Sequence, residues 1–182
     1  AYPVHAIDTP ASCPDILHAL VLVKSWQTGR AARQLTACLP SDGLALSLQN
    51  GIGNWEKLAQ ELGAERVALG TTTYGATLLG PGKVLPAGEG TIILGFHPKL
   101  QPLAEVLKSA GFEVETISDP TSLLWGKVII NAAINPLTAI LRLPNGALLE
   151  RPSARELMAI AAREAASVAA LQGIQIPYPD PA

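Results

Sequence analysis

The chain has 182 residues and a formal net charge of −2, and 48% of its residues are hydrophobic while 15% are charged. This composition is typical of a globular protein with a large apolar core, and it excludes a disordered chain. It provides no basic surface of the kind that binds nucleic acid, so nucleic acid is not expected as a partner.

The sequence also predicts neither a metal site nor a membrane span. His5, His18 and His97 lack the spacing of metal ligands. Cys13 and Cys38 stand apart from each other, and we interpret them as buried, reduced thiols of a cytoplasmic protein. The most apolar stretch, in residues 119–143, is interrupted by one lysine, two asparagines and a proline, and a span requires roughly 18 apolar residues.

The first predicted strand comprises residues 18–23, which have the length and β-branched content of a strand buried on both faces. Lys24 and Gln27 follow this strand. Open α/β sheets bind ligands at the carboxyl ends of their strands, so these two residues are candidates for binding. The alternative is a simple strand exit with an exposed lysine. Thr28 is then the expected N-cap of a helix that ends before Pro40.

A second predicted strand, residues 44–48, leads into the loop Gln-Asn-Gly-Ile-Gly-Asn at 49–54. Glycine in such a loop allows a ligand to approach the main chain closely, and a helix start beyond it collects phosphate groups. The pattern GxG without the full GxGxxG is weak, and a tight turn is the alternative. Asn54 is expected to cap the helix that follows, residues 55–62.

Strands and helices alternate as far as residue 118. Residues 66–73 are a predicted strand, 83–86 and 91–94 a predicted hairpin across AGEG, 102–110 a helix and 112–117 an edge strand. The alternation predicts an α/β fold for residues 1–118. Asp119 and Pro120 are a natural N-cap and first helical residue, and everything beyond them is predicted to be helical. We therefore place a domain boundary between residues 118 and 119.

The predicted helix at residues 119–143 carries a narrow polar stripe on an otherwise apolar surface. Lys127, Asn131 and Asn135 lie at i, i+4 and i+8, so they project from one side. A helix that is apolar all round is expected to be buried, and a buried lysine needs compensation. The stripe therefore faces either a carboxylate or an anionic ligand, whereas a lysine that reaches solvent is the alternative. Pro136 is expected to kink or restart the helix.

Five stretches carry a resemblance to a known family: LVLVKSWQT (20–28), LSLQNGIGN (46–54), GTTTYGA (70–76), LWGKVIINAAINPLTAI (124–140) and LPNGALLERP (143–152). They are similar, in the same order, to stretches of the ketopantoate reductases (2-dehydropantoate 2-reductases). KxxxN followed by NPLTA is the most specific element. The resemblance implies the later part of a Rossmann-like dinucleotide-binding domain, residues 1–118, followed by the start of an all-helical domain, residues 119–182.

The resemblance also implies an activity, the NADPH-dependent reduction of 2-dehydropantoate to pantoate in the synthesis of pantothenate and coenzyme A. Lys127 matches the family's catalytic lysine, which serves as general acid to the keto oxygen. The residue type suits this chemistry, because hydride addition to a ketone builds negative charge on oxygen and a nearby cation stabilises that charge. Burial lowers the pKa of a lysine toward working pH, which favours proton transfer.

The remaining site residues are implied by the resemblance alone. Asn131 and Asn135 match amides that bind the substrate. Asn50 matches an asparagine near the nicotinamide and the substrate. Lys24 and Gln27 match residues at the adenine and 2′-phosphate end of the cofactor.

The chain departs from the family pattern in two ways. It contains no GxGxxG motif, and the acidic and serine residues that hold substrate in the family would lie beyond residue 182. We therefore interpret it as a fragment that is inactive alone. The alternatives are a related 2-oxo acid or β-hydroxyacid dehydrogenase, or an inactive fragment that serves as a binding or assembly module. The resemblance leaves a homodimer open.

Overall fold

The structure is a computed structural model that describes residues 6–9, 13 and 16–181. His5 lies outside the described residues. The chain forms two compact units, one of Ala1–Gln49 with Gly53–Pro120 and one of Asn50–Ile52 with Thr121–Ala182. The domain boundary predicted from sequence, between residues 118 and 119, lies two residues before the division between these units. The assignment of a dinucleotide-binding domain and a helical substrate domain stays a prediction.

The first unit is built on a mixed five-stranded sheet. In chain order the strands of this unit are β1 (His18–Val21), β2 (Leu44–Ser47), β3 (Val67–Thr72), β4 (Ala76–Gly80), β5 (Lys83–Pro86), β6 (Thr91–Gly95) and β7 (Glu113–Ile117). The sheet has the order β1-β2-β3-β6-β7, while β4 and β5 form a separate pair. The first three strands are parallel, β6 is antiparallel to β3, and β7 is parallel to β6.

Both faces of this sheet are covered by apolar clusters. The helices of the unit are α1 (Thr28–Leu35), α2 (Asn54–Leu62) and α3 (Gln101–Ser109). Leu44 and Leu46 of β2 belong to the cluster that includes α3, whereas Ala45 belongs to the cluster that includes α1 and α2. Because successive strand residues point to opposite faces, this alternation buries β2 on both sides and fixes its register.

Two strand predictions need correction. β1 is the edge of the sheet among the described residues, and Leu20 is 43% exposed, so the predicted burial on both faces is wrong. The apolar residues of this strand predict that it belongs to a sheet, but they do not show how much of each face other elements cover. Residues 83–86 pair with Ala76–Gly80 and not with β6. The turn of that hairpin contains Pro81 and Gly82, and Gly82 has a φ of 67°, which suits a turn position that requires positive φ.

The two helix caps predicted in this unit are also wrong. Gly53, with a φ of 83°, precedes α2, and Asn54 is its first residue. Thr28 is likewise the first residue of α1, after Gln27 at the N-cap position. Neither N-cap residue forms a side-chain capping bond, and the hydroxyl of Thr28 donates to Oδ1 of Asn54 instead of capping a helix. A third prediction is confirmed, since Gly111 follows α3 with a φ of 89°.

The second unit contains the helices α4 (Pro120–Leu141), α5 (Asn145–Leu149) and α6 (Pro152–Leu171). Ile129 and Ala133 of α4 pack with Ala162 of α6 in a small apolar cluster. The chain after α6 returns to α4, where a Cβ atom added at Gly126 would lie 2.8 Å from Cγ of Pro177. Only a glycine allows this close approach.

The long helix differs from expectation in burial and in continuity. Its buried residues are Leu124, Trp125, Gly126, Ile129 and Ala133, so within the described chain it is buried along one side and not all round. The helix continues through Pro136 without a restart. With 22 residues, and a mean hydropathy of 1.4 over an 18-residue window, it is also long and apolar enough to cross a membrane, because one lysine and two asparagines do not offset its apolar residues. This corrects the estimate from sequence but is weak evidence of a span, since the core helix of a soluble protein can share these properties.

Candidate active site

The polar stripe predicted on the long helix is present in the structure. Lys127, Asn131 and Asn135 all lie within the continuous helix α4, so their spacing of four residues puts them on one side of it. Lys127 and Asn131 are half-buried and Asn135 is exposed. The stripe therefore runs from a partly desolvated lysine toward a solvated amide.

Lys127 has the perturbed acidity that the sequence analysis anticipated. Burial lowers the pKa of its ammonium group from the ordinary value of 10.5, because removal from water disfavours the charged form. The adjacent residues Trp125, Gly126 and Ile129 are buried. The lysine thus stands at the boundary between an apolar interior and solvent, where its ammonium group releases a proton more readily than a fully solvated one.

The turn around Pro136 lies at the exposed end of the stripe, next to Asn135. The side chain of Thr138 donates a hydrogen bond to the main-chain carbonyl of Asn135, at 2.9 Å. Pro136 has no N–H for the carbonyl of Ala132, so the backbone hydrogen bonding of the helix is altered within this turn. The altered turn includes Asn135, and the uncharged amides of Asn131 and Asn135 do not neutralise Lys127.

Lys24 and Gln27 lie together in a short 3₁₀ turn after β1, Ser25–Gln27. The backbone N–H of Lys24 donates to Oε1 of Gln27 at 3.2 Å, and the backbone N–H of Gln27 donates to the carbonyl of Lys24 at 2.7 Å. Both side chains are exposed, as is Trp26, which is 80% exposed. The turn therefore presents a cation, an amide and an indole to solvent at the carboxyl end of a strand.

Beneath that turn lies a buried polar network that the sequence analysis did not identify. Thr28 Oγ1 donates to Asn54 Oδ1 and accepts from Gln49 Nε2, each at 2.9 Å. Gln49 Nε2 also donates to the carbonyl of Val23 at 2.7 Å. Ser47 Oγ donates to Gln49 Oε1 at 3.1 Å. The network joins the segment after β1 to the segment after β2.

A sequence signal for this network existed. In β2 and the residues that follow it, Ala45, Ser47 and Gln49 alternate with leucines, so small and polar residues occupy one face of a buried strand. Polar residues in such a position require hydrogen-bonding partners inside the protein. Thr28, the partner of Gln49, has a hydroxyl group that is equally suited to cap a helix, and for that reason the sequence predicts a local role for it.

The glycine loop has the backbone conformation that its sequence predicts. Gly51 has a φ of 90° and Gly53 a φ of 83°, both in the region that favours glycine. Asn50 is exposed, and with Gly51 and Ile52 it belongs to the second compact unit, the one that contains Lys127. The structure thus brings Lys24 together with Gln27, and it brings the three residues of the stripe together on α4.

Other features of the described residues do not coincide with these sites. A pocket of about 580 Å³ lies along α4 and α6, and it is lined mainly by apolar residues without any member of the stripe. Among the described residues, no group of three His, Cys, Asp or Glu side chains is arranged to hold a metal ion. Cys13 and Cys38 are free thiols, and burial, followed by the proximity of Cys13, raises the pKa of Cys38, which makes it a poor nucleophile.

Comparison with known proteins assigns both parts of the chain to one family. The family model described as ketopantoate reductase PanE/ApbA matches residues 1–99, and the model of the C-terminal part of the same family matches residues 120–181. A 2-dehydropantoate 2-reductase of Archaeoglobus fulgidus is 39% identical over 142 residues, which are 75% of this chain and 47% of that protein. The chain spans about half the length of the curated relatives it matches.

Solved structures show the same likeness. The crystal structure of a PanE/ApbA family ketopantoate reductase from Ralstonia eutropha has a TM-score of 0.85 at 32% identity, over 93% of this chain and 57% of that one. A complex of D-mandelate dehydrogenase with NADH has a TM-score of 0.83 at 25% identity, over 90% of this chain and 57% of that one. The predicted fold class, a Rossmann-like α/β part followed by a helical part, is confirmed.

Proposed function

Because this chain belongs to the ketopantoate reductase family, we propose that the protein reduces the keto group of 2-dehydropantoate to give pantoate, with NADPH as the reductant. Relatives named 2-dehydropantoate 2-reductase, up to 39% identical, support the proposal. The observation that carries it is Lys127, a half-buried lysine with a lowered pKa that shares one side of α4 with two amides. This is the arrangement expected of a general acid beside groups that orient its substrate.

The residues present fit a nicotinamide dinucleotide. Lys24, Trp26 and Gln27 are exposed together in one turn, and they offer a cation for a phosphate, a flat apolar surface and an amide. The solved D-mandelate dehydrogenase contains NADH, which supports a cofactor of this class. We propose that Lys24 and Gln27 hold the adenine and 2′-phosphate end of NADPH, and that Asn50 lies near its nicotinamide. The bound cofactor supplies the hydride that is added to the keto carbon.

The chain's own residues supply the proton and the orientation. As the keto group is reduced, negative charge develops on its oxygen, and the ammonium group of Lys127 stabilises that charge and donates a proton to it. The product is the corresponding hydroxyl group, and Lys127 recovers its proton from solvent. Asn131, Asn135 and Asn50 donate hydrogen bonds to the polar groups of the substrate, which aligns the keto carbon for hydride addition.

A second candidate is the reduction of a different 2-oxo acid. The likeness to D-mandelate dehydrogenase favours it, because mandelate is a 2-hydroxy acid whose oxidised partner carries a phenyl ring. In that reaction Lys127 would serve the same purpose, since every 2-oxo acid presents a keto oxygen next to a carboxylate. Only the groups that contact the remainder of the substrate would differ.

Steady-state kinetics of the complete gene product test these two candidates. Catalytic efficiency is measured with 2-dehydropantoate and with phenylglyoxylate, each in the presence of NADPH and of NADH. We expect 2-dehydropantoate with NADPH to exceed the other three combinations by about tenfold or more, which corresponds to about 1.4 kcal/mol of preferential transition-state binding. A preference for phenylglyoxylate would establish the second candidate, and a preference for NADH would refute the assignment of the cofactor.

The family assignment also leads us to propose a cytoplasmic enzyme of pantothenate synthesis. Cell fractionation tests the location. A homodimer stays a prediction, and light scattering of the purified gene product tests it. A single mass equal to that of one chain would contradict the dimer.

A further inference from the structure

A network of polar side chains lies buried at a place where apolar residues could also pack, and its members are Thr28, Ser47, Gln49 and Asn54. Thr28 and Ser47 are 0% exposed, Asn54 is 2% and Gln49 is 6% exposed. Polar groups taken from water destabilise a fold unless each finds a hydrogen-bonding partner, and apolar residues of the same shape would avoid that cost. A network of neutral side chains in this place therefore calls for an explanation beyond packing.

The hydrogen bonds of the network fix its orientation. Gln49 uses one amide nitrogen as donor to both Val23 and Thr28, while its amide oxygen accepts from Ser47. A reversed amide would place its oxygen against the carbonyl of Val23, where two acceptors would meet. The hydroxyl of Thr28 has a single proton, and it donates this proton to Asn54. Each member therefore has one arrangement in which its bonds are satisfied.

The network holds the Lys24–Gln27 turn from both sides. Gln49 bonds to the carbonyl of Val23, immediately before Lys24. Asn54 Nδ2 donates to Ser25 Oγ at 3.4 Å, immediately after Lys24. Gln49 also precedes Asn50 in the chain, and Asn54 is the first residue of α2. Gln49 and Asn54 thus anchor the residues on either side of Lys24, in the turn that also carries Gln27.

We propose that Thr28, Gln49 and Asn54 are positioning residues that hold Lys24 and Gln27 in the conformation that binds the dinucleotide. The inference rests on the proposed function. Thr28 is fully buried, so it acts through the turn and does not contact the cofactor. Thr28 is the central residue, because its single hydroxyl connects the other two.

The test compares Thr28→Val, which removes the hydroxyl and keeps the shape, with Thr28→Ser, which keeps the hydroxyl. Leu62→Ala is the matched control, because the Leu62 side chain is buried in an apolar cluster of the same unit and is not a member of the network. For each complete gene product, the KM for NADPH, the KM for the 2-oxo acid and amide hydrogen exchange in residues 23–28 and 49–54 are measured. These readouts separate a local effect on the turn from a general loss of stability.

We expect Thr28→Val to raise the KM for NADPH about tenfold, the effect of about 1.4 kcal/mol, and to change the KM for the 2-oxo acid less than twofold. Exchange should become faster in the two segments and stay unchanged in β3. Thr28→Ser should restore both readouts to within twofold, and Leu62→Ala should lower Tm without raising the KM for NADPH. An unchanged KM and unchanged exchange in Thr28→Val, or an equal rise in Leu62→Ala, would overturn the proposal.

Two further outcomes are also decisive. A wild-type protein that oxidises neither NADPH nor NADH with any 2-oxo acid refutes the proposed function. Amide hydrogen exchange in Thr28→Val then tests, without an activity measurement, whether the network orders the turn. Faster exchange confined to the two segments supports it, whereas equal exchange refutes it. If Thr28→Val does not fold, Ser47→Ala replaces it, because this change removes one hydrogen bond to Gln49 and leaves Thr28 in place.

Discussion

The two polar regions of the molecule, the network under the Lys24–Gln27 turn and the stripe on α4, differ in charge and in burial. The network under the Lys24–Gln27 turn is neutral, almost fully buried and satisfied by protein groups. The stripe on α4 instead contains an ammonium group that is half-buried, with a pKa lowered by the apolar surroundings. Neutral side chains with complete hydrogen bonding make a region rigid, whereas a partly desolvated charge is a source of reactivity. The comparison teaches that a fully hydrogen-bonded polar network and a partly desolvated charge lie in different parts of the chain.

Replacement of the charged group should have the largest effect. We expect Lys127→Met in the complete gene product to lower kcat by about 100-fold or more, because the general acid is lost. Tm should stay the same or rise, since an apolar side chain of similar length replaces a charge that burial disfavours. Kinetics and thermal unfolding check both expectations. Unchanged activity would remove Lys127 from the mechanism, and a large fall in Tm would show that the lysine stabilises the fold.

Removal of an amide from the stripe should act on the substrate. We expect Asn131→Ala to raise the KM for the 2-oxo acid about tenfold, the loss of roughly one hydrogen bond to a charged group, with little change in the KM for NADPH. Asn145→Ala, at an exposed position in α5, is the matched control. Steady-state kinetics with each substrate varied in turn provide the measurement. A rise in the KM for NADPH alone would contradict the role given to the stripe.

The lowered pKa of Lys127 should limit activity at alkaline pH. The acid must be protonated to act, so kcat/KM is expected to fall by about tenfold per pH unit above a pKa that lies below 10.5. Between the folded and unfolded pKa values the unfolded chain binds more protons, so the contribution of Lys127 to stability rises with pH in the same window. Activity and stability should thus change in opposite directions.

Lys127→Arg serves as the control for this pH dependence. A guanidinium group stays protonated throughout this range, so the alkaline decrease in the remaining activity is expected to disappear. A pH–rate profile of the two proteins checks the expectation. The same alkaline pKa in both would assign the decrease to another group.

Disruption of the neutral network should lower the stability of the fold. We expect Thr28→Val to lower the free energy of unfolding by about 1–3 kcal/mol, because it leaves a buried amide donor and a buried amide acceptor without one partner each. Urea denaturation measures the change. A loss below about 0.5 kcal/mol would show that water or a shifted side chain replaces the hydroxyl group.

The smallest effect is expected at the end of the network. Ser47→Ala removes a single hydroxyl that bonds to Gln49, so a loss of about 1 kcal/mol is expected in the same measurement. The loss should be smaller than that in Thr28→Val. The reverse order would mean that Ser47, and not Thr28, is the residue on which the network depends.

The sequence alone determined features that depend on neighbouring residues. The stripe of Lys127, Asn131 and Asn135 follows from helical periodicity, which is a local property of the chain. The positive φ angles of Gly51 and Gly53 follow from the absence of a side chain. The family motifs identified the fold, since residues 124–140 lie within the match to the C-terminal model of the family. These conclusions needed no knowledge of distant parts of the chain.

Only the tertiary structure decided which hydrogen-bonding partner a side chain has and which strands pair. Thr28 is suited to a helix cap, yet its hydroxyl bonds to Asn54, 26 residues away in the chain. The strand at residues 83–86 pairs with β4 and not with β6, and β1, predicted to be buried on both faces, lies at the edge of the described sheet with Leu20 exposed. A hydroxyl group or a strand edge has several partners of similar local energy, so long-range packing selects among them. For that reason the placement of Lys127 on one side of α4 with two asparagines was predictable from sequence, whereas the network beneath the Lys24–Gln27 turn was not.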